Sequence, residues 1–133
     1  PGHSSAASDV YKRQSLCFNR KEIKNHGEGG EFIGDLPKGN VLIVDDVLSA
    51  GTAAKEAIEL IKKYNANPVG LLIGLDRQEK GSLKLSARAE LKKEFGVEVF
   101  SVINLDDLIA YMDDKNYQSQ QKLMQNYRSE WGA

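Results

Sequence analysis

The chain has 133 residues, of which 41% are hydrophobic, and its 18 basic and 19 acidic residues give a formal charge of -1. This length suits one domain or part of one, and the balanced charge excludes the strongly basic class of nucleic-acid-binding proteins. The sequence shows no apolar run of transmembrane length and no charged-then-apolar leader, so we expect neither a membrane partner nor secretion. Cys17 is the single cysteine, which excludes an internal disulfide and a cysteine-built zinc site and favours a cytoplasmic location.

Residues 1–15 differ in composition from the rest of the chain. The first eight are small and polar without any period, and the run Asp9-Val10-Tyr11-Lys12-Arg13-Gln14 resembles a translated cloning adapter. A natural disordered arm would have a similar composition, so both origins stay open. We therefore exclude residues 1–15 from fold reasoning and expect one domain over residues 16–133.

Residues 16–32 combine a short apolar run with a basic, glycine-rich loop. Leu16, Cys17 and Phe18 predict the end of a strand. Three cations and a histidine follow within seven residues, and three glycines lie within residues 27–30. The basic residues are Arg20, Lys21, Lys24 and His26. This composition indicates a mobile loop that closes over an anion, with a solvated charged hairpin as the alternative.

The most informative stretch is residues 41–54, VLIVDDVLSAGTAA. Its four leading apolar residues predict a strand buried on both faces, which is typical of parallel sheets with helices above and below. Asp45 and Asp46 follow, then small or hydroxylated residues, and a helical pattern begins at Ala53. Such a turn offers backbone N–H groups to a phosphate, beside two carboxylates that accept hydrogen bonds from vicinal hydroxyls. A ribose 5-phosphate fits both halves.

The later elements predict an α/β domain. After a Pro/Gly turn at residues 34–40 and the strand described above, a helix to about Tyr64 and a strand at 69–75 make a right-handed crossover between parallel strands. A charged loop at 76–81 lies where open parallel sheets bind ligands. A helix at 86–95 stopped by Gly96, a strand at 97–102, a helix starting at Asn104 and a polar helix at 116–131 complete the chain.

Several side chains in the last two helices receive structural interpretations. Asp107 is the capping partner of Asn104, and Leu105, Leu108, Ile109 and Met112 form the apolar face of that helix. We interpret Asp106, Asp107, Asp113 and Asp114 as solvated caps rather than a metal cluster. The expected anchors of the final helix are Tyr117, Leu123, Met124, Tyr127 and Trp131.

Residues 41–54 resemble the phosphoribosyl pyrophosphate (PRPP) binding motif of type I phosphoribosyltransferases. Residues 18–30 resemble the flexible catalytic loop of the bacterial orotate phosphoribosyltransferases within that family, and the similarity extends from Cys17 to about Trp131. The resemblance implies a central parallel sheet flanked by helices. It also implies transfer of the phosphoribosyl group of PRPP to orotate, giving orotidine 5'-monophosphate and pyrophosphate, in pyrimidine biosynthesis.

The resemblance further implies residue roles. Asp45 and Asp46 hold the ribose hydroxyls and count with Lys21, Lys24 and His26 as catalytic residues. The 5-phosphate is held by Val47, Leu48, Ser49, Ala50, Gly51, Thr52 and Ala53. Arg20, Lys21, Lys24 and His26 contact pyrophosphate, and the loop from Arg20 to Gly30 reaches the partner's site in a homodimer. His26 is interpreted first as an electrostatic contact, with general acid as the alternative.

The implied orotate site and metal complete this picture. Arg77, within Leu75-Asp76-Arg77-Gln78-Glu79, corresponds to the arginine that meets the orotate carboxylate, a geometry that suits a guanidinium fork. The resemblance also implies that Ser49 binds orotate; this residue replaces the family's usual threonine while keeping the hydroxyl. Mg²⁺ is expected to be held mainly through PRPP, with no direct protein ligand.

The front of the chain departs from the family pattern. The N-terminal hood, with its aromatic contacts to orotate and its lysine-bearing turn, is not recognisable, so we expect one exposed sheet edge and no activity from this chain alone. A non-catalytic phosphoribosyltransferase-like module that senses PRPP or a nucleotide is the main alternative. A nucleoside triphosphatase or receiver domain is a weaker one, because the sequence has no G-x-x-x-x-G-K-[ST] loop.

Overall fold

The computed structural model describes residues 15–24, 30–81 and 85–133, with the backbone alone for residues 20–24. The described strands form two sheets. The antiparallel pair contains β1 (Cys17–Lys24) and β2 (Gly30–Gly34). The parallel sheet contains β3 (Asn40–Leu48), β4 (Asn67–Asp76) and β5 (Glu98–Asn104), in that order. Residues 1–14, most of the arm excluded above, lie outside the described residues.

Four described helices connect or follow the strands of the parallel sheet. They are α1 (Thr52–Lys63), α2 (Ala87–Phe95), α3 (Leu105–Asp114) and α4 (Gln118–Trp131). The predicted α/β class and the parallel pairing of β3 with β4 are confirmed, with small shifts at the ends of elements. None of the helices in the described ranges is both long and apolar enough to cross a membrane.

Local capping sets the helix ends where the sequence predicts them. Asn104 Oδ1 accepts from the Asp107 amide at 2.9 Å, and Asp107 Oδ2 accepts from the Asn104 amide at 2.8 Å, which completes the capping box of α3. Gly96 ends α2 at φ 70°, a left-handed conformation that costs glycine nothing. Asn65 adopts φ 58° after α1, so the chain reverses there into β4.

The core lies on one face of the parallel sheet. Leu71, Ile73 and Val99 on the strands are at most 3% exposed, and they cluster with Ile58 of α1 and Leu91 of α2, both 0% exposed. Both crossovers run in the same direction across the sheet, from β3 to β4 to β5. Right-handed crossovers in one direction place their helices on the same face, so α1 and α2 share one side.

The opposite face of the sheet is uncovered by the described residues, and the expectation that residues 41–44 are buried on both faces is wrong. β3 is an edge strand, with Leu42 52% and Val44 70% exposed. The register aligns Val44 with Leu72 and Leu72 with Phe100. We call Leu42, Val44, Leu72, Phe100 and Val102 the bare face. Its apolar run indicates burial, but apolarity does not specify what covers it.

The helix α4 is also less buried than the sequence suggests. None of its residues is buried, and Leu123 and Trp131, expected as anchors, are 69% and 54% exposed. Tyr117, just before the helix, is 50% exposed. Polar contacts hold α4 instead, and they lie beside the candidate site.

A polar contact joins the β1–β2 hairpin to the end of α1. Glu31 accepts from Lys63 Nζ at 2.8 and 3.0 Å and from the Tyr64 hydroxyl at 3.0 Å. Phe32 meets the Tyr64 ring edge-on, with centroids 5.2 Å apart. Hydrogen bonds from Lys63 and Tyr64 lower the pKa of Glu31, whose ordinary value is 4.5. The hairpin therefore has a pH-sensitive attachment at its second strand.

Candidate functional site

Two carboxylates lie at the carboxyl end of β3. Asp45 and Asp46 are both exposed, and the alternation of a strand sends their side chains to opposite faces. Asp45 Oδ1 accepts from the Asp46 amide at 2.9 Å. Neither carboxylate points into the core, so both are available to a ligand at this rim.

The loop after β3 leads into an uncapped helix start. Gly51, the N-cap of α1, has φ 84° and forms no side-chain cap hydrogen bond, and the first turn contains no acidic residue. The backbone N–H groups of that turn have no intrahelical acceptor, and the helix dipole adds partial positive charge there. This combination suits an anion.

A cavity of about 220 Å³ lies between the end of β3 and the start of α1. Asp45 lines it, together with the aliphatic Leu71 and Ile73 of β4. Its remaining lining is Val47, Leu48, Ser49, Gly51, Thr52, Ala53 and Ala54. The structure therefore brings together the residues predicted to hold the 5-phosphate, apart from Ala50. Asp46 does not line this cavity.

The predicted carboxylate-binding loop lies beside this cavity. The Arg77 amide donates to the Leu48 carbonyl at 3.3 Å, one residue before Ser49. The preceding Asp76 is 6% exposed; its carboxylate accepts from the Gln78 amide at 2.9 Å and lies 3.1 Å from Arg88 Nη2. A buried carboxylate with these partners fixes the turn that carries Arg77.

The Arg77 guanidinium is held by two side chains. Its Nη2 donates to the Tyr127 hydroxyl and lies 3.0 Å from Glu79 Oε1. The Tyr127 hydroxyl donates in turn to Glu79, and the guanidinium carbon lies 5.3 Å from the centre of the Tyr127 ring. From the sequence, Tyr127 is expected only as an anchor of the final helix. No local signal links it to a residue 50 positions earlier.

The basic residues of the hairpin are placed only in part. Arg20, Lys21 and Lys24 belong to β1 by their backbone, and their side chains are outside the described structure. His26 lies outside the described residues altogether. The prediction that a strand ends at Phe18 is wrong, because β1 begins at Cys17 and continues to Lys24, paired with β2. The pyrophosphate contacts remain predictions.

Lys55, near the start of α1, is directed away from the role of an anion ligand by two glutamates. Its ammonium lies 3.1 Å from Glu90 Oε2 and 3.0 Å from Glu94 Oε2. Hydrogen bonds to Glu94 and Glu90 raise the pKa of Lys55 above its ordinary 10.5. This ion-pair cluster ties α1 to α2 and supports the helix start that forms the cavity wall.

The acidic side chains of the described residues do not form a metal-binding cluster. Over the described ranges, no group of three or more His, Cys, Asp or Glu side chains could hold a metal ion. Asp107 belongs to the capping box, and Asp106 contacts Gln78 and Arg128. Asp45 and Asp46 remain as hard oxygen donors exposed at the rim.

Comparison with known proteins identifies related sequences. A family model described as "Phosphoribosyl transferase domain" matches residues 14–102. Orotate phosphoribosyltransferase from Vibrio parahaemolyticus is 47% identical over 117 residues, and that from Proteus mirabilis is 48% identical over 117 residues. Each match covers 87% of this chain and 55% of the relative. The chain therefore spans about half the length of these curated relatives.

Solved structures of orotate phosphoribosyltransferases are also similar to this chain. The crystal structure of orotate phosphoribosyltransferase from Francisella tularensis aligns with a TM-score of 0.72 and 28% identity, covering 97% of this chain and 62% of that one. The enzyme of the same name from Aeropyrum pernix aligns with a TM-score of 0.61 and 27% identity, covering 84% and 58%. The arrangement of strands and helices is therefore shared over most of the chain.

Proposed function

Because the chain belongs to the phosphoribosyl transferase domain family, we propose that it acts in the transfer of a phosphoribosyl group from PRPP to orotate, giving orotidine 5'-monophosphate and pyrophosphate. One observation carries the proposal. An uncapped helix start and the exposed Asp45 carboxylate line one cavity, and Arg77 follows the neighbouring strand. Relatives named orotate phosphoribosyltransferase support the choice of acceptor.

The chemistry asks for position and charge rather than a nucleophile from the protein. When pyrophosphate departs, positive charge develops on the ribose C1 and ring oxygen, and negative charge grows on the leaving group. In this proposal, residues 47–53 hold the 5-phosphate through backbone N–H groups, and Asp45 and Asp46 accept from the ribose hydroxyls. The carboxylates thereby fix the ring beside the reacting carbon.

The leaving group requires positive charge from elsewhere. Arg20, Lys21, Lys24 and His26 are proposed to contact pyrophosphate, with the loop acting in the partner's site of a homodimer. Mg²⁺ fits the donor set as an ion held mainly through PRPP oxygens near Asp45 and Asp46, where it would neutralise leaving-group charge. Removing one preorganised cation, as in Lys24→Ala, is expected to cost roughly 10²-fold in turnover.

The acceptor is proposed to bind beside the cavity, where the loop after β4 carries Arg77. Arg77 is proposed to bind the orotate carboxylate and Ser49 to lie beside it.

The single free Cys17 and the absence of a disulfide partner suit a reducing compartment, so we propose that the reaction takes place in the cytoplasm.

Ligand-induced thermal stabilisation tests the PRPP site. PRPP with Mg²⁺ at 100 times its dissociation constant stabilises a folded protein by about 2.7 kcal/mol. Asp45→Asn with Asp46→Asn is expected to abolish the rise in Tm. Asp113→Asn with Asp114→Asn removes the same charge from exposed positions at the end of α3 and should keep it. Equal stabilisation of both double variants would contradict the proposal.

Turnover separates the enzyme from the sensing module considered above. It is measured as orotate-dependent pyrophosphate release in a chain extended to the length of the curated relatives. PRPP binding without such release would favour the non-catalytic module.

A further inference from the structure

The helix α4 is fastened to the loop that carries Arg77. The Lys80 amide donates to the Trp131 carbonyl at 3.0 Å, and the Ala133 amide donates to the Gln78 carbonyl at 2.9 Å. Glu79 and Gly132 also form an isolated antiparallel β-bridge. Since α4 has no buried residue, these contacts determine its position more than core packing does.

The same loop is held from its other side by α3. Gln78 Nε2 donates to Asp106 Oδ2 at 2.9 Å, and the Asp106 amide donates to Gln78 Oε1 at 3.1 Å. Arg128 of α4 pairs with the other oxygen of Asp106. Gln78 has φ 52°, a left-handed conformation that a side chain adopts at some cost. Two helices therefore clamp a turn that is strained at its centre.

Tyr127 brings the clamp to the guanidinium itself. It accepts from Arg77 Nη2, donates to Glu79, and places its ring 5.3 Å from the guanidinium carbon. Over the described residues, no protein acceptor is recorded for Arg77 Nε or Nη1. The guanidinium thus keeps Nε and Nη1 as donors for a ligand, while the contact with Tyr127 fixes the position of Nη2. The hydroxyl adds no charge, and it shares Glu79 with Arg77.

We propose that Tyr127 is a positioning residue that orients Arg77 for the carboxylate of a bound pyrimidine. This rests on the proposed function, because it takes Arg77 as the carboxylate ligand. Arg77 Nη2 already lies 3.0 Å from Glu79, and the Tyr127 hydroxyl occupies part of that carboxylate by donating to it. Without the hydroxyl, Glu79 is left with Arg77 as partner, so the guanidinium turns further toward Glu79 and the ligand carboxylate must compete more strongly with it. Tyr127 acts through Arg77 and touches no ligand atom in this scheme.

Two nucleotides that differ in one group isolate this role. Orotidine 5'-monophosphate and uridine 5'-monophosphate share the ribose and phosphate, and only the former has the ring carboxylate. Calorimetric affinities of the full chain for both give a carboxylate preference. We expect Arg77→Gln to remove that preference. Tyr127→Phe should reduce it by about tenfold, on the scale of one hydrogen bond to a charged group, with the uridine nucleotide unaffected.

Tyr117→Phe is the matched control, since Tyr117 is 50% exposed just before α4 and should leave the preference unchanged. An unchanged preference in Tyr127→Phe overturns the proposal, as does an equal loss for both nucleotides, which indicates a merely structural role. The Arg77 Nε–Hε NMR signal of the ligand-free chain is a second readout. It should move to an averaged position in Tyr127→Phe, and an unmoved signal also overturns the proposal.

These readouts keep two failures apart. If the unmodified chain binds neither nucleotide or shows no preference between them, the proposed function fails at this site. The NMR signal then still decides whether Tyr127 orders Arg77, because it needs no ligand.

Discussion

The Arg77 amide and the Leu48 carbonyl are joined by a hydrogen bond of 3.3 Å at the carboxyl ends of two parallel strands. This contact continues the β3–β4 register, in which Leu48 faces Asp76. The strands approach closely because Gly74 has no side chain, and a Cβ there would lie 2.9 Å from the Asp46 carbonyl oxygen. The spacing between the cavity after β3 and the arginine after β4 is therefore set by the sheet.

Gly51→Ala should damage the cavity as well as the fold. Gly51 has φ 84°, and an added Cβ would lie 3.3 Å from the Ala87 Cβ. Left-handed strain costs about 1–2 kcal/mol, and relief of the contact would shift the start of α1. Gly96→Ala is the control, because Gly96 has φ 70° with open space around it. Urea unfolding should show a similar loss of stability for the two variants. Calorimetry with ribose 5-phosphate should show weaker binding for Gly51→Ala and unchanged binding for Gly96→Ala.

Ile58→Ala should destabilise the domain by about 2–5 kcal/mol, because it empties a fully buried position between α1 and the sheet. Leu123→Ala, at a position 69% exposed, should change the free energy of unfolding by less than about 0.5 kcal/mol. Chemical denaturation measures both. A similar cost for the two substitutions would show that the core has been misplaced.

Glu31→Gln should flatten the acid limb of the stability profile. Hydrogen bonds from Lys63 and Tyr64 lower the pKa of Glu31 below 4.5 in the folded chain. Its contribution is thus present above about pH 4.5 and is lost as the pH falls through the lowered value. The unmodified chain should lose stability more steeply in that window than Glu31→Gln, measured by Tm against pH. Glu130→Gln, which changes an exposed carboxylate on α4, should retain the steep slope.

Val44→Lys with Val102→Lys should reduce self-association of the chain. These residues are 70% and 74% exposed on the bare face, and exposed apolar patches promote association. Sedimentation velocity should show less association, with little change in the free energy of unfolding. Leu123→Lys removes an exposed leucine of α4 that is not part of the bare face, and it should not change association. An unaltered sedimentation profile for the double variant would locate the association elsewhere, for example at the β3 edge.

Features specified by neighbouring residues were predictable from sequence. Residues only a few positions apart determine the Asn104–Asp107 capping box and the end of α2 at Gly96. The same holds for the strand–turn–helix around Asp45. The exposure of Val44 was not predictable from sequence, because an apolar pattern shows which residues favour burial but not which element covers them. The contact of Arg77 with Tyr127 joins residues 50 apart, and only tertiary structure brings them together.

Because polar contacts hold α4, the orientation of Arg77 depends on the ionic strength of the solution. Arg128 and Asp106 are each close to half exposed, so dissolved ions screen their attraction, whereas the buried contacts of Ile58 and Leu91 are insensitive to ions. Concentrated salt should therefore loosen the last helix while the remaining domain stays folded. Amide protons of that helix would then exchange with deuterium early, and discrimination between the two pyrimidine nucleotides would fade before any global melting.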